Sequence, residues 1–215
     1  MMSAALSNLL VIDTSMNACS VAVQRSDGEI FTSTEMMDRG QAERLMPMIL
    51  ETMARAKLEM TSIDEYACVV GPGTFTGLRV GLSTVRALAQ VAGKPAIPIS
   101  TFDALIAGVQ TVAPIAVIIE TKRADFYVRA PGYEDSCVSA KELKSIVRPD
   151  WMLLGDAVTR ATSEADLYNK TIILTCAGAD ALVACARRGR AGVLEPVYLR
   201  GADVSVSRQK FARIV

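Results

Sequence analysis

The chain opens on short apolar runs whose spacing belongs to strands. Residues 9–15 (LLVIDTS) and 19–25 (CSVAVQR) are rich in branched apolar side chains and separated only by MNA. Residues 30–36 (IFTSTEM) follow the turn SDGE, in which Gly28 is free to take positive φ. Together they predict a three-stranded meander. From Gln41 to Lys57 the period changes. Leu45, Met48, Ile49, Thr52, Met53 and Ala56 recur at helical intervals, with Met46 widening the stripe, and Pro47 removes one ladder bond and predicts a local bend. A buried strand at 66–70 (YACVV) runs into a glycine-rich loop. Then comes a helix over 78–92, marked by Leu78, Leu82, Val85, Ala89 and Ala92 on one face. A strand at 96–100 and a helix at 101–112 complete the pattern.

A second hairpin follows at 114–120 (PIAVIIE) and 125–130 (DFYVRA). Ser139 with Glu142 makes a capping-box signature for a helix over 140–147. A strand at 171–175 and a helix at 180–189, closed by Gly189, come last. The order βββαβα is therefore read twice, the second time shortened, although the halves share no visible identity. The expectation is an α/β protein of two lobes. Residues 1–103 form the first, with the glycine loop and two prominent helices, and 104–199 a smaller second lobe whose last helix is a candidate to pack back on the first. Residues 200–215 form a basic tail. From Arg187 onward basic residues accumulate (Arg187, Arg188, Arg190, Arg200, Arg208, Lys210, Arg213), and a solvated end is favoured over an RNA-contacting arm.

Composition narrows the chemistry. The 215 residues carry 23 basic and 23 acidic side chains, so the molecule as a whole has no charge with which to attract nucleic acid or an anionic membrane. Its N-terminus has no basic leader, and no run approaches the roughly 18 apolar residues of a membrane span, so the reading is a soluble, unexported, cytoplasmic protein. The five cysteines (Cys19, Cys68, Cys137, Cys176, Cys185) are scattered without any CxxC pair, which argues against a disulfide scaffold or zinc knuckle. There is no histidine. That removes the usual general base, the Ser-His and Cys-His nucleophile pairs and the commonest transition-metal ligand; no metal site is expected.

Two stretches could still contact phosphate. In GPGTFTGLRVG (71–81), Gly71, Gly73 and Gly77 match neither the Rossmann fingerprint nor the Walker lysine motif. A strand-to-helix turn with free amides and the Thr74 and Thr76 hydroxyls could nonetheless bind an anion. Equally, Gly71 and Gly73 could serve the turn while Gly77 and Gly81, four apart, lower helix propensity by about 1 kcal/mol each in exchange for close backbone approach. Asp13-Thr14-Ser15, ending the first strand, is suited to metal–phosphate contact, but also to an ordinary turn cap.

The stretches LLVIDTSMNACSVAV, AERLMPMI, VVGPGTFTGLRVGLSTVRALA and the late EPVYLR together resemble the TsaB (YeaZ) family, with further support from ETKRADFYV at 120–128. The resemblance covers residues 9–103 best and is thin over 131–176. It implies a duplicated actin/Hsp70/sugar-kinase-like (ASKHA) fold. It also implies a catalytic paralogue, TsaD, and a small ATPase, TsaE, as partners in placing threonylcarbamoyl on adenosine 37 of tRNA. On that reading tRNA is met only through the complex, and there is no membrane partner. The catalytic relatives hold a metal through an HxxxH pair on the first long helix, where this chain has RGQAERLMP (39–47), with Gln41 at the position where many members keep one histidine. In the second hairpin, Glu120-Thr121-Lys122-Arg123 leave little room for phosphate.

The expectation is thus a non-catalytic scaffold that binds no cofactor tightly, with ATP or ADP and magnesium only where subunits meet. Leu45, Met46, Ile49, Met53, Gly77, Gly81, Leu82 and Val85 are the expected partner interface, since the family pairs through these helices and methionine adapts to imperfect holes. The glycine loop is read chiefly as a corner, with anion binding secondary. Two other classes stay open. An autonomous kinase-like or peptidase enzyme would need two phosphate loops, or a histidine or metal pair. A self-associating module would form a homodimer when the partner is absent.

Overall fold

The computed structural model describes residues 6–200. The meander is β1 (Leu9–Asp13), β2 (Ala18–Gln24) and β3 (Ile30–Met36), followed by α1 (Gln41–Arg55), β4 (Glu65–Gly71), α2 (Phe75–Ala92), β5 (Ala96–Ser100) and α3 (Thr101–Ala107). The five strands form one sheet in the order β3-β2-β1-β4-β5, with the meander antiparallel and β1, β4 and β5 parallel. The second half repeats this plan with β6 (Ile115–Glu120), β7 (Asp125–Arg129), β8 (Ser136–Ser139), α4 (Ala140–Ile146), β9 (Met152–Gly155), α5 (Val158–Ala165), β10 (Thr171–Ile173) and α6 (Ala179–Arg188). Its sheet, β8-β7-β6-β9-β10, has the same spatial order and the same parallel and antiparallel pairs.

The second lobe is therefore shortened in the length of its elements and not in their number. Periodicity missed β8, β9 and α5 for a physical reason. The buried face of α5 is Val158, Ala161 and Ala165, too small to stand out as an apolar stripe, and the two strands have only four residues each. Two boundaries also move. Helix α2 begins at Phe75, with Thr74 extended before it, and α3 stops at Ala107, with Gly108 as its cap. Helix α1 runs through Pro47 to Arg55, carried by six buried residues.

Three apolar layers hold the sheets. Leu10, Ile12, Val21 and Val23 face α1 and α2, where Leu45, Met48, Ile49, Met53, Leu78, Leu82 and Val85 complete a core. The alternate residues Leu9 and Val11 face the other way. They meet Val69, Ile97, Ile99, Phe102 and Leu105, together with Val117, Ile119 and Leu154 of the second sheet and Leu182 and Val183 of α6. Strands buried on both faces read as unbroken apolar runs, which is why LLVI does not alternate. A third layer lies outside the second sheet, where Phe126, Leu143, Trp151 and Leu153 pack against Val158 and Ala161.

These layers correct the expected interface. Leu45, Ile49, Met53, Leu82 and Val85 are at most 3% exposed and belong to the core of the chain itself. A wide apolar stripe marks a helix as amphipathic without telling which row points outward; the outward row of α1 carries Met46 and Leu50.

The chain after α6 also returns to the first lobe. Helix α6 packs on α3, β2 and β5, and Arg187 fixes it there through Gln24 Oε1 (2.6 Å), Ser7 O (2.6 Å) and Glu65 Oε2 (2.8 Å). Gly192 donates to Ala96 O at 2.9 Å, Leu194 enters the α1–α2 core, and Val197 donates to Val70 O at 2.8 Å. Arg187 and Arg200 are thus bonded within the fold and only partly exposed, Arg188 and Arg190 are exposed as a solvated end requires, and Arg208, Lys210 and Arg213 lie outside the described residues.

Candidate functional site

In a fold of two duplicated lobes, the turn of each meander points into the cleft between them. The first turn here is Asp13-Thr14-Ser15, and α2 starts directly against it. Thr74 donates its amide to Ser15 O at 2.7 Å, and Thr14 Oγ1 donates to Gly77 O at 2.7 Å. Both Ser15 N and Ser15 Oγ donate to Asp13 Oδ1, at 2.8 and 2.7 Å. A Cβ on Gly73 would lie 2.2 Å from Ser15 O, on Gly77 2.0 Å from Thr14 O, and on Gly81 2.6 Å from Thr14 Oγ1. Only a residue without a side chain fits at these three places. Gly71 meets a different demand, with φ of 115° at the end of β4. The glycine spacing is therefore that of a backbone docked on a turn, and the Thr14 hydroxyl and Thr74 amide are already committed to holding it.

Asp13 is the exception. Its Oδ2 is buried with no partner among the described residues, and burial pushes its carboxyl up, against the two bonds from Ser15. Among the described residues no three His, Cys, Asp or Glu side chains come together in a way that could hold a metal ion. Thr76 points to the outside of α2.

The second turn, between β6 and β7, is held by charge. Arg160 on α5 grips Glu120 with Nε to Oε2 at 2.9 Å and Nη2 to Oε1 at 2.7 Å, and also donates to Asp125 O at 3.0 Å. Its guanidinium lies 3.9 Å from the centre of the Phe126 ring. Glu120 Oε1 accepts the Lys122 amide at 2.7 Å, and Asp156 Oδ1 accepts the Glu120 amide at 2.9 Å. Although burial works to raise Glu120, its bonds from Arg160 and Lys122 hold it below the usual carboxylate range. Asp156 goes the other way, to about 6, through burial and then the neighbouring Glu120 charge. The Glu120 and Lys122 amides, which could otherwise meet an anion, are turned onto carboxylates, while the exposed charged side chains of the turn are Lys122 and Arg123. Sequence reading named Glu120 as bulk alone and missed Arg160 and Asp156, because the helix that carries Arg160 went unrecognised.

The other face with chemistry is the outside of α1 and α2. Met46 is 39% and Leu50 55% exposed, one turn apart on α1. On α2, Phe75, Thr76, Arg79, Val80 and Ser83 line a shallow hollow of about 330 Å³. Gly77 and Gly81 do not reach this face; they are buried against the first turn.

Comparison with known proteins agrees with this architecture. A family model described as TsaD, tRNA N6-adenosine threonylcarbamoyltransferase, matches residues 32–172, roughly two thirds of the chain. The tRNA threonylcarbamoyladenosine biosynthesis protein TsaB of Haemophilus influenzae is 42% identical over 97 residues, 45% of this chain and 41% of that protein. Its namesake in Escherichia coli K12 is 35% identical over 100 residues, 46% of this chain and 43% of that one. The chain thus spans about two fifths of the length of these curated relatives. A crystal structure from Pseudomonas aeruginosa, described as an uncharacterized protein with similarity to peptidase YEAZ, superposes with a TM-score of 0.75 at 25% identity, covering 91% of this chain and all of that one. A second, described as YeaZ from the same organism, gives 0.76 at 24% identity, covering 90% of this chain. The two sheets of like order are the ASKHA arrangement. With the family model spanning most of its described length and TsaB sequences matching its first half, the chain belongs to the TsaB (YeaZ) family.

Proposed function

We propose that this protein serves tRNA threonylcarbamoyladenosine synthesis in the cytoplasm as a non-catalytic scaffold. It docks on the catalytic paralogue TsaD, works together with the ATPase TsaE and meets tRNA only through that assembly. The observation that carries this reading is the state of the two cleft turns. The first spends the Thr14 hydroxyl and the Ser15 carbonyl on seating the glycine loop and helix and the Ser15 hydroxyl and amide on Asp13, and the second spends its amides on Glu120 and Asp156. A phosphotransferase needs such groups aimed outward at phosphate and metal. The isolated chain is accordingly proposed to hold neither ATP nor magnesium tightly; nucleotide sits, if anywhere, where the subunits meet.

Docking then falls to the outer row of α1, Met46 and Leu50, and to the hollow on α2 around Val80 and Ser83. Exposed apolar side chains one helical turn apart suit packing on a partner helix pair, and the resemblance implies pairing through these helices. The test is a double substitution, Met46→Asp with Leu50→Asp, followed by co-purification with the catalytic paralogue. Because neither side chain is in the core, the thermal midpoint should stay within a few degrees of the parent while the complex is lost. Retained complex with both aspartates in place would refute docking through this row. Should the parent chain alone sediment as a dimer that the same aspartates dissolve, self-association through this face is the better description.

A further inference from the structure

The segment after α6 touches both lobes. Arg86 donates to Leu194 O, and Leu194 is buried in the first lobe. Val197 bonds Val70 O, and its own carbonyl oxygen lies 3.0 Å from where a Cβ on Gly71 would be. The Tyr198 ring stands 5.8 Å from the Phe75 ring at the start of α2. Leu199 packs on the layer between the sheets, which contains Met16 of the first turn, Val69, and Ile119 at the edge of the second turn. Arg200 then pairs with Asp125, the first residue of β7, whose Oδ1 also accepts from Thr121 Oγ1 at 2.7 Å. Seven residues thus run from the strand that feeds the glycine loop to the turn of the opposite lobe.

We propose that residues 194–200 are a clasp that closes the cleft between the two turns, and that releasing this strap opens the cleft while the sheets themselves stay as they are. The contacts divide accordingly. Leu194, Val197 and Tyr198 anchor the strap on the first lobe, Leu199 packs on the apolar layer that the two sheets share, and Arg200 reaches Asp125 of the second. The bridging ion pair is partly exposed, with side chains 29% and 19% accessible, so it is screened and reversible, whereas the anchorage rests on buried Leu194 and on the backbone bond from Val197 to Val70 O, the Val197 and Tyr198 side chains being exposed themselves. A clasp of this kind makes cleft access a property of the C-terminal segment. Whatever draws Arg200 from Asp125 would uncover Asp13 and the second turn together.

Native cysteines report the opening. Cys176 is half-buried beside the first turn, where burial and then the Asp13 charge raise its thiol. Cys68 is buried in the first core and serves as the internal control. Arg200→Ala and, separately, Leu199→Ser should each speed alkylation of Cys176 by iodoacetamide, followed residue by residue by mass spectrometry, by about fivefold or more. Cys68 should stay at its parent rate. A parent rate at Cys176 in either variant overturns the clasp. So does acceleration of Cys68 in step with Cys176, since the strap would then be supporting the whole fold and not gating the cleft. The measurement uses the chain alone, so its outcome is independent of whether Met46 and Leu50 dock a partner.

Discussion

The two turns that face the cleft occupy equivalent positions in two equivalent sheets, yet they are built from opposite physics. The first is held by proximity. Three glycines bring α2 so near to Asp13-Thr14-Ser15 that a methyl group would strike backbone at 2.2 and 2.0 Å in two places and a hydroxyl at 2.6 Å in the third. The second is held by charge, with Arg160 drawing Glu120 and the Asp125 carbonyl into one knot over the Phe126 ring. A duplicated fold fixes where a turn lies, while the side chains decide what it can do. Here both turns commit backbone amides inward, by different means.

Gly77→Ala breaks the first turn and should have the largest effect. Alanine gains about 1 kcal/mol of helix propensity over glycine, but the new Cβ meets the Thr14 carbonyl, which cannot yield without moving β1. We expect a net loss of about 3 kcal/mol or more in denaturant unfolding, whereas Gly178→Ala, which meets nothing within 4 Å, should stay near the parent. A neutral Gly77→Ala would mean that α2 is not seated on the turn.

Arg160→Met strikes the second turn. It keeps most of the stem over Phe126 and strands Glu120, whose side chain is 23% exposed. Partial exposure and the retained Lys122 amide limit the expected loss to about 1–2 kcal/mol. That loss should shrink in high salt, unlike the Gly77 effect. Equal salt dependence for the two variants would erase the distinction drawn between the turns.

Asp156→Asn comes last, because its effect is a stabilisation whose size depends on pH. Asp156 titrates near 6 when folded, above its ordinary value of 3.8. A raised acid binds its proton more tightly in the folded state, so its stabilising contribution is complete below about pH 4 and is lost as pH rises through about 6. Asparagine keeps an acceptor for the Glu120 amide without the charge. The variant should therefore exceed the parent by on the order of 1–2 kcal/mol at pH 8, with the difference vanishing near pH 4. A constant difference across that range would show that Asp156 is not the titrating group.

How much of this was legible in the sequence follows from side-chain size. The first meander, β4, β5 and both long helices announce themselves through Leu, Ile, Val and Met, and their boundaries fall within a few residues of the reading. Helix α5 hides because alanines carry its buried face, and with it went Arg160 and the whole second-turn knot. The Glu142 capping box, by contrast, is chemistry that a sequence shows directly, and it opens α4 at Ser139 as read. The glycines were ambiguous for a different reason. Spacing cannot say whether an open backbone faces a ligand or a neighbour, and only the Thr14 and Ser15 carbonyls decide it. The interface reading failed at Ile49 and Met53 because a stripe wide enough for two purposes does not name its inward row.

The central claim is that both cleft turns are closed to phosphate in the isolated chain. Titration calorimetry of the purified protein with ATP and magnesium tests it most directly. The account predicts no saturable heat up to millimolar nucleotide. Stoichiometric binding with a micromolar dissociation constant, lost on Asp13→Asn, would contradict it and restore an autonomous ATP-using enzyme.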